Sequence, residues 1–447
     1  MQEEEQGQNN EHQSIANKYD FEKSSMGMRY KFIHLAKTLP NIVDLGQGFP
    51  DWDPPRFLKE SIMKSFSNDA FYQYTRNHGL IKLVESVARN YEKTFERKLN
   101  PMTEIVIGAG AGNVLYLAFK VLLNPGDEVI LLEPFFDNYT PMIEFPGGKI
   151  VGVPMLPPKT RPKKDFQNIK DLKDEWTIDF DSLEKVFTKK TKVLLLNTPQ
   201  NPTGKILSFE ELKRVKKILD KFPKVVLIMD EVYEFQIGTQ YRELPRMATL
   251  PGMWDKTITI FSAGKVFSAT GLRIGWGIGP NWIIRQIMCA FQYSSYCIAE
   301  PMQTTVADCL DALNTPYDGQ ETYKRWVATY FEKHRNYLLE KLATIKNFDV
   351  DFFCPEGGYF IIADISKQNP ETKYILPGDD NNVSYRKDAK FLLNLCHDSK
   401  IVCLPCSNFY TDEHKHLGEN FIRFSYTKDS KTIDQAAEIL NKSKSKF

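Results

Sequence analysis

Short apolar segments alternate with longer amphipathic segments between residues 104 and 261. Stretches such as 113–123 and 209–221 carry apolar residues at helical spacing. The segments between them are apolar at nearly every position, which is typical of strands buried on both faces of a parallel sheet. The pattern predicts an α/β fold, with a mostly parallel sheet between helices and strands at 104–107, 128–132, 149–154, 192–196, 224–229 and 257–261.

The pattern changes after a long helical segment at 323–345. Beyond it, strands and turns alternate up to an apolar strand at 421–426 and a helix that begins near Ile433. A chain of 447 residues exceeds what one hydrophobic core usually organises. We therefore expect a second, smaller α+β domain, and a surface loop at 159–174. The predicted division of the chain is a polar tail at 1–25, a segment that packs with the small domain at 26–55, the large domain at 56–325 and the small domain at 326–447.

Composition and charge narrow the classes of function. The formal net charge of +1 argues against a nucleic-acid-binding protein, because phosphate binding needs a concentrated basic surface. Seven unevenly spaced cysteines do not suggest a disulfide framework. The acidic, polar first residues differ from a targeting peptide, and no uncharged apolar run is long enough to span a membrane. We expect a cytoplasmic protein that acts on small molecules.

Residues of distinctive chemistry follow three of the predicted strands. Lys265 follows the strand at 257–261 within a run of small residues, Asp230 follows the strand at 224–229, and Asn201 follows the strand at 192–196. The carboxyl ends of parallel strands meet at one edge of the sheet, where ligands bind. Each residue also has a simpler interpretation: an exposed lysine, a carboxylate paired with an arginine, and a turn rich in proline.

Two further segments favour anion binding. The glycine-rich segment 108–112 connects a strand to an apolar helix, so its backbone N–H groups can approach an anion, although a tight turn would look the same. It matches neither a dinucleotide-binding fingerprint nor a P-loop. Arg423 lies on the opposite face of its strand from Ile422 and Phe424. Its guanidinium needs a planar anion, which is either a substrate carboxylate or an internal Asp or Glu.

Together these residues resemble the fold-type I, pyridoxal-phosphate (PLP) dependent aminotransferases, and most closely the group of kynurenine aminotransferase, glutamine transaminase K and cysteine-S-conjugate β-lyase. The resemblance extends from about Met26 to the C-terminal helix. It implies the fold-type I architecture. It is carried, in the family's order, by the motifs DLGQGFPD at 44–51, YQYT at 72–75, EPFFDNY at 133–139, NPTG at 201–204, DEVY at 230–233, SAGK at 262–265 and IRF at 422–424.

The resemblance implies PLP as the cofactor and a role for each matching residue. Lys265 would form a Schiff base with it and would carry the proton between Cα and C4′ of the substrate adduct. Asp230 would pair with the pyridinium nitrogen. The remaining cofactor contacts would come from Asn201 and Tyr233 at the phenolic oxygen, Phe136 stacked on the ring, and Ala111, Gly112, Ser262 and Arg273 at the phosphate.

The resemblance also implies the substrates and a homodimer. Arg423 would bind the substrate carboxylate, assisted by Gly48 and Asn201, with Tyr30 near the side-chain pocket. Tyr74 would reach the cofactor phosphate of a second subunit. Tyr30 and Gly112 stand where relatives carry a Trp and a Tyr. The expected reaction is ping-pong transfer of the α-amino group of an aromatic or sulfur-containing amino acid, kynurenine or glutamine to a 2-oxo acid.

Three alternatives accompany this interpretation. A PLP-dependent β-lyase acting on cysteine S-conjugates would use the same residues, and a catalytically silent relative would serve binding or regulation. The pair Cys403 and Cys406, followed by His414 and His416, has some character of a metal site. In the family, however, the matching segment is an apolar strand that enters the substrate pocket without metal, so we predict no metal.

Overall fold

The computed structural model describes residues 25–158, 176–241, 243–345, 350–380 and 382–442. The predicted polar tail, apart from Ser25, and the predicted surface loop at 159–174 lie outside these residues. None of the helices in the described ranges is both long enough and apolar enough to cross a membrane.

A seven-stranded sheet forms the centre of the large domain. Six of its strands match the six predicted apolar segments within two residues at each end, so these predictions are confirmed. The seventh, β8 at Gly275–Ile278, runs antiparallel to both of its neighbours. The order is β2-β8-β7-β6-β5-β3-β4, with β2 at Ile105–Gly108, β3 at Glu128–Glu133, β4 at Lys149–Pro154, β5 at Thr191–Asn197, β6 at Val226–Asp230, β7 at Thr257–Ser262 and β8 at Gly275–Ile278.

Several of the helices pack on this sheet, among them Ala111–Leu122 and Asn281–Gln292. The long helix predicted at 323–345 spans Tyr323–Ala343 and packs against the C-terminal helix. Buried side chains form a large cluster shared by both domains and a second cluster between the sheet and the helices α4 and α9. The helices are α1 Ser25–Thr38, α2 Arg56–Phe66, α3 Ile81–Tyr91, α4 Ala111–Leu122, α5 Tyr139–Glu144, α6 Phe180–Lys185, α7 Phe209–Lys221, α8 Ala263–Val266, α9 Asn281–Gln292, α10 Glu300–Asp311, α11 Tyr323–Ala343, α12 Lys387–Ser399, α13 Lys415–Gly418 and α14 Ser430–Lys442.

The C-terminal part of the chain contains an antiparallel sheet of order β12-β13-β10-β9. A separate two-stranded parallel sheet connects the N-terminal segment to this part of the chain, because Val43 and Asp44 of β1 pair with Ile401 and Val402 of β11. The fold is therefore the predicted α/β architecture with a smaller α+β part. The strands concerned are β1 Val43–Asp44, β9 Asp351–Phe353, β10 Phe360–Asp364, β11 Ile401–Val402, β12 Leu404–Pro405 and β13 Phe421–Ser425.

The sheet register brings polar residues together at one edge. Asn197, the last residue of β5, pairs with Asp230, the last residue of β6. Asp230 pairs in turn with Ile260 of β7, and that strand ends two residues later at Ser262, just before the short helix α8. Three adjacent parallel strands thus end in polar side chains at the same edge, as expected for a ligand-binding edge.

Candidate active site

A cavity of about 410 Å³ opens at this edge. It is lined by side chains from the large sheet, from the helix α1 and from the strand β13 of the small domain. Eleven of the thirteen residues singled out from the sequence line it, and Tyr30 and Tyr74 do not. These eleven are Gly48, Ala111, Gly112, Phe136, Asn201, Asp230, Tyr233, Ser262, Lys265, Arg273 and Arg423.

Lys265 lies in the helix α8, which directly follows β7. Its Nζ donates a hydrogen bond to the carbonyl oxygen of Gly48 at 3.1 Å and lies 4.6 Å from the ring centre of Tyr359. Burial lowers the pKa of Lys265 to about 7, and the nearby positive charge of Arg423 contributes in the same direction. At neutral pH a large fraction of this amine is therefore uncharged, as a nucleophile or a general base requires.

Asp230 is a buried carboxylate with a side chain only 3% exposed. Its hydrogen-bond donors are the hydroxyl of Tyr139, at 2.5 Å, and the backbone N–H of Val232, at 3.3 Å. Burial raises the pKa of Asp230 to about 6, although both hydrogen bonds favour the charged form. In the described part of the chain no arginine forms a salt bridge with Asp230, so the simpler interpretation as half of an ion pair is not what the structure shows.

Arg423 enters the cavity from β13 and is 2% exposed. Its guanidinium donates to Asn201 Oδ1 and to the carbonyl oxygen of Gly46, each at 2.9 Å, and stacks 3.7 Å from the ring centre of Phe360. Its Nε has no hydrogen-bond partner. Within the described residues no Asp or Glu forms a salt bridge with Arg423, so a buried cation faces the cavity with only neutral partners.

The glycine-rich segment after β2 brings backbone N–H groups to the cavity. Gly110 has a φ of 86°, and a Cβ there would lie 2.7 Å from Nη2 of Arg273. Gly275 packs still closer, because a Cβ there would lie 2.3 Å from the backbone nitrogen of Ala111. The first N–H groups of the helix α4 have no partner within the helix. Together with Arg273 they form a site suited to a phosphate.

Tyr30 does not line the cavity. It is 56% exposed and its ring stacks on His34, one turn further along α1. The neighbouring Arg29 lines the cavity instead. The reason is helical geometry: Arg29 lies three residues before the buried Phe32 and shares its face, whereas Tyr30 is rotated by about 100°.

Tyr74 lies outside the cavity of its own chain. It is 82% exposed and packs edge-on against Tyr296, with ring centres 5.2 Å apart. An exposed tyrosine next to a second exposed aromatic ring is compatible with a contact to another subunit. The predicted role of Tyr74 in a partner's site stays a prediction.

Sequence reasoning missed several residues that shape the site. Tyr139 binds Asp230, while Asn197 donates through Nδ2 to the carbonyl oxygen of Asp230 and accepts from the backbone N–H of Asn201 at 2.7 Å. Asn197 directly follows the predicted strand 192–196, so the strand-end rule could have found it. Tyr139 ends the motif EPFFDNY at 133–139, so the motif could have marked it, although not its contact with Asp230. The segment with Cys403 and Cys406 is buried beside Arg423, whereas His414 contacts Glu133 and not these cysteines.

Comparison with known proteins identifies the class that this fold and cavity define. The chain belongs to the family "Aminotransferase class I and II", whose family model matches residues 40–440. The family depends on PLP, and the chain is a PLP-dependent aminotransferase.

Its relatives fall within one group of that family. The chain is 38% identical over 409 residues to "Kynurenine--oxoglutarate transaminase" of Dictyostelium discoideum, covering 90% of this chain and 91% of the relative. It is 36% identical over 401 residues to "Kynurenine--oxoglutarate transaminase 3" of Homo sapiens, covering 90% and 85%. The solved structure of Bna3p from Saccharomyces cerevisiae matches with a TM-score of 0.79 at 32% identity and covers 96% of each chain.

Proposed function

We propose that this aminotransferase moves the α-amino group of an aromatic or sulfur-containing amino acid, with kynurenine a leading donor, to a 2-oxo acid such as 2-oxoglutarate. The names of the relatives at 36–38% identity support the choice of donor and acceptor. The observation that carries the proposal is the common cavity of Lys265, Asp230 and Arg423, in which a partly neutral amine, a buried carboxylate and an arginine without an anionic partner converge.

The residues of the cavity fit PLP. The buried carboxylate of Asp230 has only neutral hydrogen-bond donors, and a protonated ring nitrogen would supply the missing positive charge. The first turn of α4 and Arg273 offer several N–H donors for the phosphate. We assign the cofactor contacts to Lys265 and Asp230, to Tyr233 and Asn201 at the phenolic oxygen, to Phe136 beside the ring, and to Ala111, Gly112, Ser262 and Arg273 at the phosphate.

The chemistry is divided between the cofactor and this chain's side chains. Bound PLP supplies an aldehyde that takes up the amino group and a ring that withdraws electrons from the substrate Cα. Lys265 Nζ, in its neutral form, would hold and move the proton that leaves the substrate Cα. Asp230 keeps the ring nitrogen protonated, while Tyr139 and Asn197 hold Asp230 and its strand end in place.

Arg423 binds the α-carboxylate of both substrates in turn. Because its two hydrogen bonds go to the neutral oxygens of Asn201 and Gly46, its positive charge is available for an incoming carboxylate. Amino donor and 2-oxo acid would occupy the same position successively, which is a ping-pong sequence. Gly48 and Phe360 both line the cavity. They pack so closely that a Cβ at Gly48 would lie 2.3 Å from the Phe360 ring.

We also propose a homodimer in the cytoplasm. The exposed Tyr74 next to Tyr296 supports a contact in which Tyr74 completes the phosphate site of a second subunit. No disulfide forms among the seven cysteines, all of which lie in the described ranges, and this is consistent with a reducing compartment.

A panel of donors and acceptors assayed with the purified holoenzyme tests the proposed function. We expect transfer from kynurenine, phenylalanine, methionine or glutamine that depends on added 2-oxo acid. The matched assay measures pyruvate released from a cysteine S-conjugate without any acceptor. Release of pyruvate in the absence of any amino transfer would favour a β-lyase, and a protein that takes up no PLP would favour the silent alternative.

Replacement of the lysine tests its assigned role. Lys265→Ala should abolish multiple turnovers, because no other side chain combines attachment of the cofactor with proton transfer at Cα. Lys256→Ala is the matched control: Lys256 donates to the carbonyl oxygen of Leu219 and does not line the cavity. Sustained turnover by the Lys265→Ala protein would show that the role is misassigned.

A further inference from the structure

The cavity contains one more arginine than the proposed reaction uses. Three arginines line it, and two have anions assigned to them: the cofactor phosphate for Arg273 and the substrate α-carboxylate for Arg423. The third, Arg29, comes from the helix α1. Asp230 is the only carboxylate among the residues that line the cavity, and it is assigned to the cofactor ring. The positive charge of Arg29 therefore has no assigned function.

The contacts of Arg29 leave donors available. Its hydrogen bonds within the described residues all use Nη1, at 3.2 and 3.5 Å to the carboxylate of Asp137 and 3.5 Å to Asn138 Oδ1. These are long for charge-assisted bonds, which usually measure 2.7–2.9 Å. A guanidinium carries five N–H donors, and Nε of Arg29 is buried without a partner. Asp137 thus orients the guanidinium without using all of its donors.

Arg29 acts electrostatically on the same groups that perform the reaction. Burial lowers the pKa of Lys265 and of Arg423, and the positive charge of Arg29 adds to that shift in both. Burial raises the pKa of Tyr233, and the charge of Arg29 partly opposes it. The side chain is 26% exposed, so it is partly open to the cavity. A charge that acts on both Lys265 and Arg423 lies near the position of a substrate attached between them.

We propose that Arg29 is a specificity-determining residue that binds a second carboxylate, on the side chain of the substrate. This inference rests on the proposed function. Amino and oxo acids with an acidic side chain, such as glutamate and 2-oxoglutarate, would place one carboxylate on Arg423 and the other on the free donors of Arg29. A neutral aromatic donor would leave Arg29 on Asp137. One cavity would therefore accept both partners of a ping-pong exchange.

The test compares an acidic acceptor with a neutral one of the same shape. The holoenzymes of the wild type and Arg29→Met are assayed with 2-oxoglutarate and with 5-methyl-2-oxohexanoate, in which a branched alkyl group replaces the distal carboxylate. We expect kcat/KM for 2-oxoglutarate to fall about 10- to 100-fold in Arg29→Met, and kcat/KM for the neutral acid to change less than about threefold. Arg29→Lys should restore part of the preference, because it keeps the charge.

Lys31→Met is the matched control. Lys31 lies on the same helix and pairs with Asp379 at 2.6 Å, but it does not line the cavity. We expect this variant to keep the wild-type ratio between the two acceptors. An equal loss for both acceptors in Arg29→Met would show that Arg29 acts through packing or through its charge on Lys265 and Arg423, and not on a distal carboxylate. The same shift of the ratio in Lys31→Met would show that any change in α1 alters the preference. Either result would overturn the proposal.

A binding measurement separates this inference from the proposed function. Calorimetry with the holoenzyme should give a dissociation constant for glutarate that rises about 10- to 100-fold in Arg29→Met, while the constant for valerate stays unchanged. If the wild type binds glutarate in this way but transfers no amino group, the proposed function fails and the assignment of Arg29 stands. If Arg29→Met binds glutarate as tightly as the wild type, the assignment of Arg29 is wrong.

Discussion

Lys265 is an amine whose surroundings hold it partly uncharged. The lysine is enclosed by the rings of Tyr233 and Tyr359, and burial together with the charge of Arg423 lowers its pKa to about 7. Only the neutral amine attacks the aldehyde of PLP. The neutral fraction rises with pH through about 7, whereas an ordinary lysine would become neutral only near pH 10.4.

Uptake of the cofactor should therefore depend on pH in a distinctive way. When apoprotein is mixed with PLP, we expect the rate at which the visible absorption of the bound cofactor appears to be half-maximal near pH 7. Free Nα-acetyl-lysine under the same conditions provides the reference for an exposed amine. A midpoint above about pH 9 would mean that the cavity does not depress the pKa of Lys265.

Arg423 should discriminate by geometry as well as charge. Arg423→Lys keeps the charge but loses the planar pair of donors and the stacking on Phe360. We expect KM for both amino and oxo acids to rise about 10- to 100-fold, because Arg423 is the residue proposed to bind their carboxylates. The affinity for PLP should change far less, because Arg423 is not among the proposed cofactor contacts. Steady-state kinetics and a cofactor titration measure the two quantities. An unaltered KM would place the carboxylate site elsewhere.

At the scale of elements, close packing of β8 against the start of α4 shapes the proposed phosphate site. Gly275→Ala would place a methyl group 2.3 Å from the backbone nitrogen of Ala111, and backbone cannot move away as a flexible side chain can. We expect weaker binding of PLP and a loss of about 1–3 kcal/mol in the free energy of unfolding. A titration of apoprotein with PLP and a denaturant melt measure both.

The control lies in the same part of the chain. A Cβ at Gly271 would meet no atom within 4 Å, so Gly271→Ala should bind PLP like the wild type. If both variants lose cofactor affinity equally, loop flexibility and not the β8–α4 contact determines the phosphate site.

Sequence patterns found those elements whose signal is local. The strand ends at Asn197, Asp230 and Ser262 could be predicted because apolar runs stop there, and parallel strands bring such ends together. The strand β8 was missed because its sequence, Gly-Trp-Gly-Ile, is half glycine, a residue depleted in strands. Gly275 is required because the backbone at the start of α4 approaches it closely, and this contact is not visible in the sequence.

The phase of the helix α1 could also have been determined from the sequence. Phe32 and Leu35 are apolar at helical spacing, and both are buried. Extending that face by one turn toward the N-terminus leads to Arg29, not to Tyr30. A difference of one position in the helix therefore separates Arg29, which lines the cavity, from Tyr30, which is exposed. The partner of Asp230, in contrast, could not be predicted, since Tyr139 meets it only through tertiary folding.

At the scale of the whole molecule, the surface around Tyr74 supports the proposal that each site is completed by a second chain. Exposed tyrosines occur around Tyr74, including Tyr72 and Tyr296, and exposed apolar side chains that lie together often mark a contact with another chain. A two-fold dimer would bring the same patch of two subunits together and give each site an identical contribution from its partner. Under the proposed arrangement, Tyr74 serves the site of the partner and leaves its own untouched.

Mixing two inactive variants tests this arrangement. Tyr74→Phe, assayed at limiting PLP, and Lys265→Ala should each be nearly inactive alone. In a mixed dimer, the subunit with Tyr74→Phe keeps its own Lys265 and receives an intact Tyr74 from its partner, so one complete site forms. Equal amounts unfolded and refolded together should regain about a quarter of the wild-type activity, since half of the dimers are mixed and each has one complete site. If Tyr74 served its own subunit, no mixture would regain activity, because the lysine and the tyrosine would be missing from different sites.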